Sequence, residues 1–236
     1  MPLKERNLFA SFIGINAYSQ NKLNGCVKDV LDMDHFLREW ISQQKSDTIH
    51  YHPFYLLAPN DVDQHQIRVW EEKHKQSLSY DRPDFKNITQ RSFAHFAAAS
   101  DGDICLFYYS GHGSQTEAPP EFWHTKPDRN NETLVCLDSR DRDKPDARDL
   151  IDKELAFLLF DVLDGKNVHT VVITDCCHSG NITRAAENTE GILYRHAPAA
   201  GMKIPLSSYL GYQSPKNFYS VKEGKASIAI ARYVHL

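Results

Sequence analysis

Apolar residues gather in short runs that end abruptly in polar, reactive groups. Residues 104–109 (ICLFYY) follow an Asp-Gly-Asp turn and stop at Ser110-Gly111-His112-Gly113, while residues 171–174 (VVIT) stop at Asp175-Cys176-Cys177-His178. Runs of β-branched and aromatic residues suit strands covered on both faces, as in a parallel sheet. The carboxyl ends of such strands are where open α/β sheets place their ligands. Residues 7–17 read as a first strand, and residues 23–42 as an amphipathic helix whose stripe carries Val27, Val30, Leu31, Met33, Phe36, Leu37 and Trp40. A short strand over 54–57, a weakly periodic, partly helical segment over 61–79 and a helix over 88–100 lead to the strand at Ile104. After Gln115 the pattern breaks into a loop (118–131), a short strand (133–137) and a charged loop (138–149). Helical spacing then returns over 151–163. Residues 181–224 are too long and irregular for an ordinary connection, and 226–235 read as a last strand. Alternating strands and helices of this kind predict an α/β fold around a mostly parallel sheet.

Composition narrows the class. With 236 residues, 41% apolar and 25% charged, the chain suits one soluble domain over residues 1–236, in which 114–150 and 181–225 are long loops. A net charge of −4 gives no general attraction to nucleic acid or to an anionic membrane, and neither is expected as a partner. No apolar stretch approaches the roughly 18 residues of a bilayer span, and the first residues lack the pattern of a signal peptide. Five cysteines without a regular framework suit reduced thiols, so a cytoplasmic location is expected.

The candidate chemistry follows from the two strand ends. If they are neighbours in one sheet they lie about 5 Å apart, which brings His112 to the cysteine pair. An imidazole beside a thiol takes its proton or stabilises the thiolate, which is the nucleophilic form. Successive residues leaving a strand point opposite ways, so either Cys176 or Cys177 faces His112, but not both. His178 is adjacent in sequence and reads as structural, since adjacent side chains seldom reach a base-to-nucleophile geometry. A zinc site is a weak reading, because consecutive residues do not readily surround a tetrahedral ion. The N–H groups of Gly113 and Cys177 are candidate donors to an oxyanion, and Asp175 is suited to pair with a substrate Arg or Lys.

The segments FIGINAY with LNGCVKDV, DICLFYYSGHGSQ and VVITDCCHSG, in that order, resemble the caspase-like cysteine peptidases, most closely the metacaspase and orthocaspase type. The context of the cysteine pair, Asp-Cys-Cys-His, departs from the Gln-Ala-Cys of animal caspases. The resemblance implies a three-layer α/β/α sandwich, His112 and Cys177 as catalytic dyad, and an endopeptidase that passes through an acyl-enzyme. It also implies that Asp29, Ser110 and Asp175 line the primary pocket, with cleavage after Arg or Lys. Peptide or protein is then the substrate.

In this family the fold continues past the position matching Leu236. A C-terminal small subunit, or the chain's own cleaved fragment, is the implied partner. A catalytically incomplete scaffold domain is the alternative, and a hydrolase of small amides or esters a third reading. Ca²⁺ is an implied activator, for which Asp138, Asp141, Asp143, Asp146, Asp149 and Asp152 offer oxygens. Interleaved Arg140, Arg142, Lys144 and Arg148 favour a solvated loop instead, and one family ligand is replaced near Arg184. No metal is assigned to any residue. Arg184, Arg195 and Lys203 are candidate self-cleavage positions for a pocket that takes basic residues.

Overall fold

The computed structural model describes residues 4–44, 47–141, 143–144, 147–176, 195–199, 201, 203–229 and 234–235. In chain order β1 (Lys4–Ile15), α1 (Cys26–Ser42), β2 (Asp47–Ala58) and α2 (Asp63–His74) come first. Then follow α3 (Ser92–Phe96), β3 (Ile104–Ser110), β4 (Gly113–Glu117), β5 (Asn130–Leu134) and β6 (Leu150–Ile151). α4 (Asp152–Leu163), β7 (His169–Asp175), β8 (Tyr219–Lys222), β9 (Lys225–Ile228) and β10 (Val234–His235) complete the order.

The central sheet has the order β10-β7-β3-β1-β2, and every pairing in it is parallel. Its strands are apolar on both sides because both sides are covered. On β1, Leu8, Ala10 and Phe12 join Val27, Val30 and Leu31 of α1 and Ile67 and Trp70 of α2 in one core. Phe9 and Ile13 face the opposite core, with Phe93 and Phe96 of α3 and Leu159 of α4. Two helices on each face of a parallel sheet make the expected three-layer sandwich.

α4 starts where Glu154 turns back to accept the Ile151 N–H at 3.3 Å, closing the first turn. The same carboxylate is held by both terminal nitrogens of Arg148, at 2.5 and 2.6 Å. No helix among the described residues is long and apolar enough to cross a membrane.

Several boundaries differ from the sequence reading. β2 is three times the length of the predicted 54–57 strand; its polar half, with His50, His52 and Pro53, is tolerated because β2 is a sheet edge. The predicted 88–100 helix is a π-type turn (Asn87–Arg91) followed by the single turn of α3. There the Thr89 hydroxyl bonds the Phe85 carbonyl at 2.8 Å and competes with the helical ladder. Residues 114–150 are not only loop, since β4, β5 and β6 form an antiparallel sheet within and beside them. The single last strand becomes two: β9 hairpins with β8, and β10 pairs with Val171 and Val172 of β7. On α1 the apolar stripe is wider than the face the sheet covers, which leaves Phe36 59% and Trp40 37% exposed.

One polar cluster ties α1, β2 and α2 together. The fully buried carboxylate of Asp34 accepts from Tyr51 at 2.7 Å, Tyr55 at 2.6 Å, Trp70 at 2.9 Å and Arg38 at 2.9 Å. Replacing Asp34 by Ala strands those donors in a dry site. We expect a loss of about 3 kcal/mol of stability, read as a lower urea midpoint with an unchanged slope. A midpoint within experimental error of the parent would show that the network carries no net stability.

Candidate active site

Strand register assembles the site. Gly14 of β1 lies opposite Ser110 of β3, and Ser110 opposite Asp175 of β7, so three carboxyl ends share one edge of the sheet. α1 settles closely on β1 because position 14 is glycine. A Cβ there would stand 3.0 Å from the Cys26 carbonyl and from Val30. This approach carries Asp29, in the first turn of α1, to the end of β3, where the Ser110 hydroxyl donates to it at 3.2 Å.

The three predicted pocket residues, Asp29, Ser110 and Asp175, are therefore together, and the chain itself fills the space between them. The guanidinium of Arg195 donates to Asp29 at 2.5 Å, to the Ser110 hydroxyl at 2.8 Å and to the Asp175 carboxylate. Two carboxylates and a hydroxyl thus surround one forked cation. Beneath it, burial pushes the Cys26 thiol up to about 11, so it adds no charge to the pocket at neutral pH.

His112 is mounted on the next turn. Its backbone N–H donates to the Tyr18 hydroxyl at 3.0 Å, and its carbonyl accepts from the Tyr109 hydroxyl at 2.8 Å and the Val135 N–H at 3.0 Å. The two hydroxyls lie 3.2 Å apart. They close over Gly111, where a Cβ would sit 2.6 Å from each oxygen, so only glycine fits between them.

The His112 ring lies 4.7 Å from that of Tyr18, and its Nε2 is 2.6 Å from the Asn21 carbonyl. A carbonyl only accepts, so Nε2 carries the proton and Nδ1 keeps the lone pair. Nδ1 makes no hydrogen bond of good geometry, although the Arg195 carbonyl lies beside it. Burial lowers the ring's proton affinity below the usual 6.5, and the Asn21 and Arg195 carbonyls offset this only in part.

A pH prediction follows from that direction. Because the folded-state value is depressed, the neutral ring is preserved in the fold at neutral pH, and stability is lost as pH falls through and below 6.5, where the unfolded chain binds the proton more readily. In a Cys177→Ala chain, which removes thiol coupling, the His112 ring resonances should titrate with a midpoint below 6.5. A midpoint above that value would contradict the buried, neutral base.

The strand after His112 presents its backbone to the same space. The Gly113 N–H donates to the Arg195 carbonyl at 2.8 Å, and the Gly113 carbonyl accepts from Ala197 at 2.9 Å. Cys177 and His178 lie outside the described residues. The chain is described to Cys176, which packs partly buried against the core. A cleft of about 670 Å³ runs from His112 along Tyr18, Asn21, Arg140, Ala197 and Pro198.

Of the candidate self-cleavage positions, Arg195 is in the pocket, Lys203 instead pairs with Glu117 at 2.7 Å, and Arg184 lies outside the described residues. Among the described residues no His, Cys, Asp and Glu side chains converge as a metal site. The loop carboxylates are engaged one by one: Asp138 by the Phe85 N–H, Asp141 by the Asp143 N–H and Asp149 by Arg140. Asp146, the fourth carboxylate of the set, lies outside the described residues. Sequence reasoning missed Tyr18, Tyr109 and the Asn21 carbonyl as supports of the ring.

Known proteins similar to this chain point to one family. A family model described as metacaspase, peptidase C14 domain, matches residues 9–185. Metacaspase-2 of Trypanosoma brucei brucei is 30% identical over 182 residues, covering 77% of this chain and 44% of that protein. Metacaspase-1 of Pyricularia oryzae is 26% identical over 172 residues, covering 72% and 36%. The chain thus spans less than half the length of these relatives. In fold it is similar to the crystal structure of protein GSU0716 from Geobacter sulfurreducens, with a TM-score of 0.50 and 24% identity over 81% of this chain and 58% of that one. With matched segments that run through the strand ends carrying His112 and Asp175, this chain belongs to the metacaspase family of peptidase C14 domains.

Proposed function

We propose that the chain is a cysteine endopeptidase domain that cleaves polypeptides after Arg or Lys. The observation that carries this reading is the pose of Arg195. Its cationic side chain is held by Asp29, Ser110 and Asp175, while its carbonyl rests on the Gly113 N–H beside the free Nδ1 of His112. A basic side chain in the pocket with its carbonyl on a backbone donor beside the imidazole supports a scissile bond after a basic residue.

On this reading Nδ1 of His112 takes the proton of the Cys177 thiol, and the thiolate attacks the carbonyl carbon. The oxyanion is held by the N–H groups of Gly113 and Cys177, and the His112 proton passes to the departing amine. Water then releases the acyl group from Cys177. The Arg195–His196 bond would be the chain's own first substrate.

A second reading has one observation in its favour. The pocket is already filled by Arg195, so the domain could serve as a closed, non-hydrolysing scaffold. A panel of fluorogenic peptides with Arg, Lys, Asp or Leu at the cleaved position, assayed with and without Ca²⁺, separates the two. Turnover of the Arg and Lys peptides alone supports the peptidase. No turnover of any peptide, together with no labelling of Cys177 by an arginyl chloromethyl ketone, would leave the scaffold.

A further inference from the structure

The residues after Arg195 are held as well, by groups that neither the dyad nor the basic pocket uses. Residue 196 forms a parallel bridge with Gly113, and the Gly113 carbonyl accepts the Ala197 N–H at 2.9 Å. Beyond it the Pro198 carbonyl accepts from the Ser114 hydroxyl at 3.0 Å and from Arg140 at 3.2 Å. Arg140 is aimed there by Asp149, whose buried carboxylate holds it at 3.0 Å and is itself held by Thr133 at 3.0 Å. β4 is an outer strand of its small sheet, so one line of its backbone groups is open to an added strand.

We propose that Gly113, Ser114 and Arg140 form a leaving-side subsite that recognises the main chain of the second and third residues after the basic one, and that residues 196–198 are its resident occupant. Its contacts go to an N–H at the second position and to a carbonyl at the third. The subsite thus reads peptide length and extended conformation rather than side-chain identity. Proline at the third position is compatible with it, because only the carbonyl of that residue is used. Arg140 has the part of a positioning cation, placed by Asp149 across the end of a bound strand.

This inference rests on the peptidase reading of the cleft, and its test is arranged to fail separately. In a Cys177→Ala, Arg195→Ala chain the resident segment loses its anchor and turnover is removed. Fluorescein-labelled peptide amides ending at Arg, Arg-His, Arg-His-Ala and Arg-His-Ala-Pro are then titrated by anisotropy. Affinity should rise about threefold on adding His, whose terminal amide supplies the N–H that the Gly113 carbonyl accepts, stay level on adding Ala, and rise about tenfold more on adding Pro, whose carbonyl meets Ser114 and Arg140. Arg140→Ala in that background should shrink the last step, leaving the share carried by Ser114, while changing affinity for the Arg-ended peptide less than twofold, a pattern that general unfolding would not give.

The length series uses unaltered cleft residues, so it decides the matter even if the Arg140 variant does not fold. Equal affinity for all four peptides, or no binding of any, overturns the subsite. Stepwise binding by this chain with no hydrolysis by its Cys177 parent would overturn the peptidase reading and leave the subsite standing. Hydrolysis of Arg peptides with a flat length series would do the reverse.

Discussion

The His112→Ala chain should hydrolyse arginyl peptides about a thousandfold more slowly in kcat/KM, within the range that a positioned acid–base group contributes. The argument is geometric. Nε2 is committed to the Asn21 carbonyl, so Nδ1 is the ring's single free proton acceptor, and it stands beside the carbonyl that lies on the Gly113 N–H. Without the ring, Cys177 must lose its proton to water, and the departing amine finds no acid. KM should move little, because the guanidinium is held by Asp29, Ser110 and Asp175 and not by His112. Alkylation of Cys177 by iodoacetamide at neutral pH should slow in parallel, since it reports the thiolate fraction. Activity within tenfold of the parent, in a chain with unchanged circular dichroism, would remove His112 from the chemistry.

The second large effect is on selectivity. Changing Asp29 and Asp175 together to Asn keeps size and hydrogen-bonding shape but removes both negative charges facing the cation. Losing one partner of a hydrogen-bonded charge pair costs about 2–5 kcal/mol when the pair is buried. Asp29, 31% exposed, falls at the low end, and Asp175, 50% exposed and screened by solvent, contributes about 1 kcal/mol. The two losses come to about 3 kcal/mol, so the preference for Arg over Leu at the cleaved position should fall about a hundredfold. The ratio is the right observable. The same substitutions loosen Arg195, which opens the cleft to every substrate alike and cancels when two substrates are compared. In the parent the ratio should also shrink as salt is raised, and in the double variant it should not. A preserved Arg preference in the variant would show that the acids hold Arg195 without choosing substrates.

The parts legible in the sequence are those that side-chain type reveals locally. The runs ending at Ser110 and Asp175 announce buried strands with polar ends, and β3 and β7 are indeed parallel neighbours in register. The pocket was legible only through resemblance. Nothing in the spacing of Asp29, Ser110 and Asp175 shows that α1 sits against Gly14 closely enough to bring them together.

Other features leave little trace in a linear reading. The Asn21 carbonyl is a backbone group, which no residue type advertises. Tyr18 and Tyr109 look like ordinary members of apolar runs, because burial hides hydroxyls whose partners come from distant turns. Arg195 is one basic residue in an irregular stretch, and its partner Asp29 is 166 positions away. β2 was half legible: Phe54 to Leu57 carry the core side chains, whereas His50, His52 and Pro53 show the tolerance of an edge.

The paired tyrosines bear on how the site behaves in alkali. Burial raises both hydroxyls well above the ordinary phenol range near 10, so Tyr18 and Tyr109 hold their protons more tightly than exposed phenols do. The bracket that suspends the imidazole therefore keeps its protons long after exposed phenols have lost theirs. The support of the ring is thus built from groups that resist alkali better than the solvent-facing tyrosines do.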